Sequence, residues 1–352
     1  MRIVVNAAAA SSGGALTILK SFYGSVIQNY SKEVEWIFLV SDNYIEEQEN
    51  VKTLVLKDIK KSWLNRLKFD FIVGKKLVNE LRPDLIFSLQ NTKIYGVKTE
   101  QIIYLHQPIP YQNIKKFSFF KKEERILAIY QKVIGKLIDS SLLNSKLIIV
   151  QTQWMRNAVN EKLKINIDKI LVYPPDTTIL TKKISGNFQN NLFFYPASKI
   201  IYKNHQIIYK AVEILNSKGY SDFKVFLTIE DNLRHPNISF IGNLKHEKVI
   251  DYFTYSTLIF PSYIETFGLP LKEAKDVGTI ILASDTSFSQ EILEGYENAH
   301  FFGFNNANEL ANLMEKVIIK EINLQEFTNV TEKKESNNSW QEIIKLLHNT
   351  AK

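Results

Sequence analysis

The chain of 352 residues contains no cysteine, which excludes disulfide bonds and thiolate metal sites and fits a reducing compartment. It also lacks an uninterrupted apolar run of about 18 residues, so we expect no transmembrane helix. The opening stretch MRIVVNAAAA is apolar, but Asn6 and the cluster 11–14 interrupt it, and we expect no cleaved signal peptide. Together these absences favour a location in the cytoplasm.

Metal-chelating patterns are missing as well. No D-x-D triplet occurs, and the six histidines form no H-x-x-x-H or H-E-x-x-H pattern, so we expect no metal site. The net charge of +7 indicates an anionic partner or surface, because a basic protein attracts one. Since no motif of a nucleic-acid-binding fold accompanies the charge, we expect no nucleic-acid partner.

Short apolar runs alternate with helix-like segments along the whole chain. In the first half the apolar runs are 2–7, 36–40, 85–89, 102–105 and 146–151, and helical periodicity covers 15–28, 63–82, 122–139 and 153–163. In the second half the apolar runs are 192–197, 223–229, 238–242, 257–260 and 279–283. Strands separated by helices predict parallel sheets built from right-handed crossovers.

A polar stretch at 173–191, rich in Pro, Asn, Thr and Lys, separates the two series and predicts a linker. A chain of 352 residues is also long enough for about two domains. We therefore predict an α/β protein of two facing domains, 1–175 and 176–352, with a cleft between them. An amphipathic helix over 339–350 ends the second domain and can pack back on the first.

The stretch FPSYIETFGLPLKEA, residues 260–274, contains two glutamates around a turn. Pro270 suits the first turn of a helix and Gly278 suits its end. Glu265 should therefore lie in the loop that follows a strand, and Glu273 should lie early on the next helix. Open α/β sheets bind ligands at this edge.

The same loop has the chemistry of a nucleotide-sugar site. Unpaired N–H groups around 266–269, at the start of a helix, favour a phosphate. Glu265 and Glu273 would repel that phosphate, so their useful targets are the vicinal diols of a ribose or a hexose. For Glu273 alone there is also a structural explanation, because an early glutamate stabilises a helix through its dipole.

This stretch resembles the nucleotide-sugar signature of glycosyltransferase family four, the glycosyl transferases group 1, in which two glutamates are separated by seven residues. The segments 240–244 and 281–293 extend the resemblance over residues 190–320, approximately. Members of the family are retaining enzymes of the GT-B type, with two facing Rossmann-like domains. The resemblance implies that the second domain of this chain binds the donor and that the first shapes the acceptor site.

The resemblance also assigns roles to residues of the second half. Glu273 would bind the ribose, Glu265 the hydroxyls of the transferred sugar, and Lys203 the diphosphate. Ser198 stands where the family usually has an arginine, and Lys199 can supply a point charge there without the bidentate fork of arginine. The positions expected to contact sugar and phosphate beside Glu265 are Thr266, Phe267, Gly268 and Leu269.

In the first half the matches are less specific. Gly13 and Gly14 lie in a loop that approaches donor or acceptor in the family, although a simple turn also explains them. His106 follows a strand where the family often has an active-site histidine, although a lone histidine is also common as a structural residue. Glu265 and His106 are thus the candidate catalytic residues.

The implied activity is that of a retaining, metal-independent hexosyltransferase that uses a UDP-, GDP- or ADP-linked sugar and needs no other cofactor. We expect a saccharide acceptor, lipid-linked, in the assembly of surface polysaccharide or lipopolysaccharide. A nucleotide-sugar epimerase or hydrolase on the same scaffold stays open, as does a non-catalytic two-lobed binding protein. A dinucleotide-dependent oxidoreductase is disfavoured, because no GxGxxG fingerprint follows the first strand.

Two segments of the first half, 60–76 and 114–125, interleave basic and aromatic residues. Such segments can rest on an anionic membrane surface, which predicts peripheral association with the inner face of the cytoplasmic membrane. The alternative for the first segment is ordinary packing of 63–77 into the core. The segment 114–125 is therefore the better membrane candidate.

Overall fold

The computed structural model describes residues 1–11, 13–28, 33–176, 184, 186–231, 233–325 and 339–352. The chain divides into two compact units: unit 1 is Met1–Asp176 with Glu335–Lys352, and unit 2 is Thr177–Lys334. The predicted linker at 173–191 lies partly outside the described residues, as does Ser12 of the small-residue cluster 11–14.

Unit 1 is built on a seven-stranded sheet in which every pairing is parallel. Its strands are β1 (Arg2–Asn6), β2 (Glu35–Val40), β3 (Val51–Val55), β4 (Leu85–Ser88), β5 (Gln101–Tyr104), β6 (Leu147–Val150) and β7 (Ile170–Val172). They are ordered β3-β2-β1-β4-β5-β6-β7. The strands β1, β4, β5 and β6 are almost wholly buried, as expected where helices cover both faces of a parallel sheet.

Helices follow β1, β3, β5 and β6 along the chain. They are α1 (Gly13–Gln28), α2 (Trp63–Lys68), α3 (Gly74–Leu81), α4 (Arg125–Ile129), α5 (Gly135–Leu143) and α6 (Gln153–Leu163). Single π-helical turns, Phe69–Val73 and Tyr130–Ile134, join α2 to α3 and α4 to α5. The periodicity in the sequence thus predicts both long helical runs, but not the extra residue that each π turn inserts.

Unit 2 repeats the same plan with a six-stranded parallel sheet. Its strands are β8 (Leu192–Tyr195), β9 (Lys224–Leu227), β10 (Ile238–Phe240), β11 (Thr257–Phe260), β12 (Ile281–Ser284) and β13 (Ala299–Phe302). Its helices are α7 (His205–Ser217), α8 (His246–Tyr255), α9 (Leu269–Val277), α10 (Ser287–Ile292) and α11 (Ala307–Ile318). The strand order is β10-β9-β8-β11-β12-β13.

Both sheets reverse their strand order at one place. In unit 1 the reversal falls between β1 and β4, and in unit 2 between β8 and β11. This is the order of the Rossmann fold, in which ligands bind outside the carboxyl ends of the strands at the reversal. Loops that leave β8 and β11 are therefore the first place to look for a ligand site in unit 2.

The last helix, α12 (Ser339–Ala351), belongs to unit 1. Its Trp340 is buried and packs edge-on against Phe22 and obliquely against Tyr104, each with a ring-centroid distance of 5.2 Å. The indole N–H donates to Ser21 Oγ at 2.9 Å, and the Asp176 carboxylate accepts from the first two backbone N–H groups of the helix at 2.8 and 3.2 Å. Within the described residues, no helix is long and apolar enough to cross a bilayer.

Candidate functional site

The loop between β11 and α9 is shaped by Gly268. This residue precedes the first residue of α9 with φ +87°, a left-handed conformation that favours glycine, and a Cβ there would lie 3.3 Å from the Leu271 side chain. Pro270 lies in the first turn of α9, and Gly278 ends the helix with φ +98°. The first turn of α9 thus lies at the carboxyl edge of the sheet. Pro270 has no N–H, and the Leu271 and Lys272 N–H groups donate to the Gly268 carbonyl at 2.9 and 3.4 Å, so Leu269 is the first-turn residue whose N–H can bind an anion there.

Lys203 and Glu265 form an ion pair at this edge. Lys203 ends a short 3-10 turn after β8, and Glu265 lies in the loop after β11; the two strands are neighbours. The two side chains are only 18% and 17% exposed, and Ser262 Oγ donates to Glu265 Oε1 at 2.8 Å. The lysine thus comes from the loop after β8 and the glutamate from the loop after β11, the two strands between which the strand order reverses.

Two tyrosines surround this ion pair. The Lys203 ammonium lies 5.6 Å from the ring centroid of Tyr202, and Tyr195 donates its hydroxyl to the Lys203 carbonyl at 2.9 Å. Burial raises the pKa of both phenols, and the Glu265 carboxylate raises it further. Both tyrosines therefore stay neutral hydrogen-bond donors, and Lys203 is the cation that can face a phosphate.

Glu273 lies in the second turn of α9 and is bound by a residue from another helix. Its Oε1 is 2.8 Å from Nε2 of His246, the first residue of α8. Burial raises the pKa of the Glu273 carboxyl above its ordinary value, and the hydrogen bond to His246 opposes that effect. The Glu273 side chain is 15% exposed, and its carboxylate, with one donor bound, can accept a second hydrogen bond from a diol.

Ser198, which stands where the family usually has an arginine, and the neighbouring Lys199 do not contact the Lys203–Glu265 ion pair in the described hydrogen bonds and ion pairs. Lys199 Nζ pairs with Asp231 Oδ2 at 2.6 Å, and its side chain is 63% exposed. An exposed pair of this kind contributes little energy, so the lysine can exchange its partner for a phosphate at small cost. The Ser198 carbonyl accepts from the Ile200 N–H at 2.9 Å, which fixes the start of the turn that ends at Lys203.

The remaining predicted donor positions follow Glu265 directly. Thr266 and Phe267 lie in the loop, and Phe267 is buried. Leu269 is the first residue of α9, and its side chain is 36% exposed. The Phe267 side chain is thus packed into the core, whereas the Leu269 side chain is exposed at the helix N-terminus.

In unit 1, Gly13 and Gly14 begin α1 beside the carboxyl end of β1. Gly13 has φ +57°, and a Cβ on either residue would meet no described heavy atom within 4 Å. The space beside the loop is therefore open to a ligand. Of the two residues, only Gly13 has the left-handed backbone conformation that favours glycine.

His106 follows β5 and is held by Asn91. Asn91 Oδ1 accepts from the His106 backbone N–H at 2.7 Å, and its Nδ2 lies 3.3 Å from His106 Nε2. Since an amide nitrogen can only donate, Nε2 accepts and the ring proton sits on Nδ1. Burial, reinforced by the Arg66 guanidinium, lowers the pKa of His106 to about 4. The imidazole is therefore neutral at pH 7, with Nε2 held by Asn91 and Nδ1 buried.

The structure brings some predicted residues into contact and gives others new partners. Lys203 meets Glu265 directly, whereas Glu273 and Lys199 are bound by His246 and Asp231. The sequence does not predict these two partners, nor the contacts of Ser262, Tyr202 and Asn91. Their signal is weak, because His246 lies 27 residues from Glu273 and no short motif joins them. Among the described residues, no group of three or more His, Cys, Asp or Glu side chains could hold a metal ion.

Residues 178–334 match the family described as Glycosyl transferases group 1. This match covers nearly all of unit 2 and includes every predicted donor-binding residue. No curated protein matches the chain significantly. The resemblance to the group 1 family that the second half predicts is thus confirmed over unit 2.

Solved structures of low sequence identity share the fold over the whole chain. Sucrose-phosphate synthase from Thermosynechococcus elongatus has a TM-score of 0.68 at 15% identity, over 100% of this chain and 96% of that one. The TarM structure has a TM-score of 0.69 at 12% identity, over 98% of each chain. The HepE protein of Anabaena, solved with UDP, has a TM-score of 0.62 at 14% identity, over 99% of this chain and 95% of that one. The predicted GT-B fold, with two Rossmann-like units, is confirmed.

Proposed function

We propose that the protein is a retaining glycosyltransferase that moves a hexosyl unit from a nucleotide sugar to a hydroxyl of a saccharide acceptor. One observation carries the proposal: Lys203 and Glu265 meet at the strand-order reversal of unit 2, next to the glycine-shaped N-terminus of α9. A cation, a helix N-terminus and a carboxylate at one sheet edge suit a diphosphate and a sugar diol. The group 1 family match over the same unit supports this assignment.

Each residue then has a role in donor binding. Lys203 and the Leu269 N–H at the start of α9 neutralise the diphosphate, which improves it as a leaving group without a metal ion. Glu265 accepts from hydroxyls of the transferred sugar, and Glu273 accepts from the ribose diol. Lys199 adds a second positive charge where the family has an arginine and this chain has Ser198.

The transfer step needs no nucleophile from the protein. The acceptor oxygen attacks the anomeric carbon on the face that the diphosphate leaves, the bond from that carbon to the phosphate oxygen breaks, and the departing phosphate takes the acceptor proton. His106, neutral at pH 7, orients the sugar when its Nε2 exchanges the Asn91 amide for a hydroxyl of the sugar. Retention of the anomeric configuration follows from attack on the same face.

The comparisons suggest where to look for the substrates. HepE of Anabaena was solved with UDP and with UDP-glucose, so UDP-sugars are the first donors to test, followed by GDP- and ADP-sugars. A lipopolysaccharide outer core galactosyltransferase, WaaB, shares the fold with a TM-score of 0.63 at 14% identity. A saccharide of a surface polymer, carried on a lipid, is therefore the acceptor class that we propose.

Donor binding is tested by thermal unfolding of the purified protein with UDP, GDP, ADP and their sugar conjugates. A ligand that binds only the folded state must raise the unfolding temperature as its concentration passes the Kd. We expect a rise with one nucleotide family and a smaller rise in Glu273→Ala. No rise with any of these ligands at millimolar concentration would overturn the donor site and favour a non-catalytic binding protein.

The reaction itself is tested with the donor that binds. Transfer to a saccharide acceptor in the presence of EDTA, with an α-linked product from an α-linked donor, is the expected result. Release of free sugar without transfer would identify a hydrolase, and a changed sugar in the nucleotide pool would identify an epimerase. Loss of transfer in EDTA would contradict the metal-independent mechanism.

A further inference from the structure

The segment of unit 1 around α4 exposes several large apolar side chains. Phe120 is 95% exposed, Ile126 67%, Ile129 38% and Val133 52%. The last three recur at helical spacing along α4 and the π turn that follows, while Leu127 on the opposite side is buried. We call these four residues, Phe120, Ile126, Ile129 and Val133, the apolar face.

The loop before α4 is built so that Phe120 points into solvent. Phe117 is buried, and its backbone N–H donates to Gln131 Oε1 at 2.9 Å. The buried Glu124 carboxylate accepts from the Ser118 N–H at 3.0 Å and pairs with Lys115 Nζ, also at 3.0 Å. Because hydrogen bonds hold the loop on both sides of Phe120, the backbone fixes the exposed position of this ring.

The segment that contains the apolar face is rich in positive charge. Residues 114–136 contain seven Lys or Arg and two Glu, a net charge of +5 in a protein of +7. One of the two glutamates, Glu124, is buried and already paired. Lys132 Nζ lies 5.0 Å from the ring centroid of Phe119, which keeps an ammonium beside the exposed rings.

A second group of exposed apolar side chains is linked through Tyr95 to the helical run that contains the apolar face. Phe71 and Ile72, in the π turn between α2 and α3, are 45% and 63% exposed. The Phe71 ring stacks on Tyr95 at 4.4 Å, and the Tyr95 hydroxyl donates to the Leu137 carbonyl of α5 at 3.2 Å. The helical runs that contain the two exposed regions are thus linked by direct contacts.

The exposed aliphatic side chains and the positive charge of this surface together favour an anionic lipid bilayer as its partner. Aliphatic side chains gain free energy only when an apolar phase removes them from water, which a nucleic acid does not provide for Ile126 and Val133. A second copy of the chain would bring another face of +5 against this one, so like charges would oppose dimer formation. A bilayer of anionic lipid offers an apolar interior below a negatively charged surface.

We propose that the apolar face docks on an anionic lipid bilayer, with the Phe120 ring inserted below the headgroups and the surrounding lysines at the phosphates. The docking requires neither donor nor acceptor, so it stands or falls independently of the proposed transfer reaction. It would hold unit 1 at the surface where a lipid-linked saccharide is found.

The test is co-sedimentation of the full-length protein with vesicles of phosphatidylcholine, with and without phosphatidylglycerol. We expect binding to the anionic vesicles that falls as salt rises, because exposed charge interactions are screened. Phe120→Ser should weaken the partition by roughly tenfold, since it removes one large apolar side chain from the interface. The double variant Ile126→Ser/Val133→Ser should weaken it at least as much.

Ile319→Ser is the matched control, because Ile319 is a 52% exposed aliphatic residue of unit 2. It should bind vesicles like the unchanged protein. All substituted positions are exposed, and the melting temperature of each variant reports whether it is folded.

Three results would overturn the proposal. The protein could stay in the supernatant with both kinds of vesicle, or Phe120→Ser could bind as well as the unchanged protein. A dimer in light scattering that Phe120→Ser dissociates would identify a second copy of the chain as the occupant instead. Normal nucleotide-induced stabilisation alongside any of these results would leave the donor site intact.

Discussion

At the scale of single residues, the proposed donor site of unit 2 depends on the Lys203–Glu265 ion pair. We expect Lys203→Ala to raise the Kd of the donor by about tenfold to a hundredfold, because it removes the cation facing the diphosphate. It should also lower the free energy of unfolding by about 1–3 kcal/mol, since Glu265 is left with a largely buried charge. Isothermal titration and denaturant unfolding measure the two effects.

The exposed pair Lys218–Glu315 in the same unit is the matched control for this prediction. Lys218→Ala should leave the donor Kd unchanged and alter stability by less than about 1 kcal/mol. The double variant Lys203→Ala/Glu265→Gln should recover part of the lost stability, because no unpaired charge remains. Equal donor affinity in Lys203→Ala and the unchanged protein would remove Lys203 from the site.

A second residue-scale prediction concerns Asp70, which lies buried in the π turn between α2 and α3. Burial raises the pKa of its carboxyl from 3.8 to about 6, against the attraction of Arg66 and a hydrogen bond from Thr92 Oγ1 at 3.1 Å. The folded state thus holds this proton more tightly than the unfolded state. The resulting stability is complete below pH 3.8 and is lost as the pH rises through about 6.

Asp70→Asn should therefore be more stable than the unchanged protein above pH 6 by on the order of 1–3 kcal/mol, and the difference should vanish or reverse near pH 4. Denaturant unfolding at a series of pH values measures it. Asp222→Asn, at an exposed position of unit 2, serves as the control and should show no such crossover. A constant difference at every pH would mean that the Asp70 carboxyl does not titrate as its burial implies.

At the scale of secondary-structure elements, replacing two glycines by alanine should change the free energy of unfolding in opposite directions. Gly268 has φ +87°, so Gly268→Ala should lower the free energy of unfolding by roughly 1–2 kcal/mol and weaken donor binding through the displaced start of α9. Gly24 lies inside α1, and a Cβ there would meet no described atom within 4 Å, so Gly24→Ala should raise stability by roughly 0.5–1 kcal/mol.

Thermal unfolding of both variants, with and without the nucleotide, is the measurement. As the control, Gly24→Ala should show the same nucleotide-induced stabilisation as the unchanged protein, because it alters only helix propensity in unit 1. If Gly268→Ala were neutral in stability and binding, the left-handed turn would not be what shapes the loop.

The elements that the sequence predicts, and those that it misses, differ in burial. Apolar runs predict the central strands, because a parallel strand covered on both faces is apolar throughout. The missed strands β3, β7 and β13 all lie at sheet edges, where one side has no neighbour and burial is incomplete. The turn Gly268–Leu269–Pro270 could be predicted because its geometry requires these residue types.

The side-chain contacts of the site could not be predicted in the same way. Asp231 reaches Lys199 and His246 reaches Glu273 across different elements of unit 2. Such pairs depend on how loops fold over the sheet edge and leave no periodic signal in the chain. The family resemblance supplied candidate residues, whereas only the structure shows which of them touch.

At the scale of the whole molecule, the chain makes two sheets with the same strand order but returns to the first unit at its end. Helix α12 supplies Trp340 to the core of unit 1, where Phe22 and Tyr104 surround it. Unit 1 is thus discontinuous in sequence, and its stability depends on residues that follow all of unit 2. This arrangement lets one substitution in α12 separate the stabilities of the two units.

The four tryptophans, Trp36, Trp63, Trp154 and Trp340, all belong to unit 1, so tryptophan fluorescence reports the unfolding of that unit. Trp340→Ala should lower the denaturant midpoint of the unfolding transition that fluorescence follows. The expected loss in the free energy of unfolding is about 3–5 kcal/mol, as for other buried Trp side chains. Trp340→Phe, which keeps a ring but loses the bond to Ser21, should cost less. The nucleotide should still raise the unfolding temperature measured by far-UV circular dichroism in Trp340→Ala, because the proposed donor residues lie in unit 2. An unchanged fluorescence midpoint would show that α12 does not complete the core of unit 1.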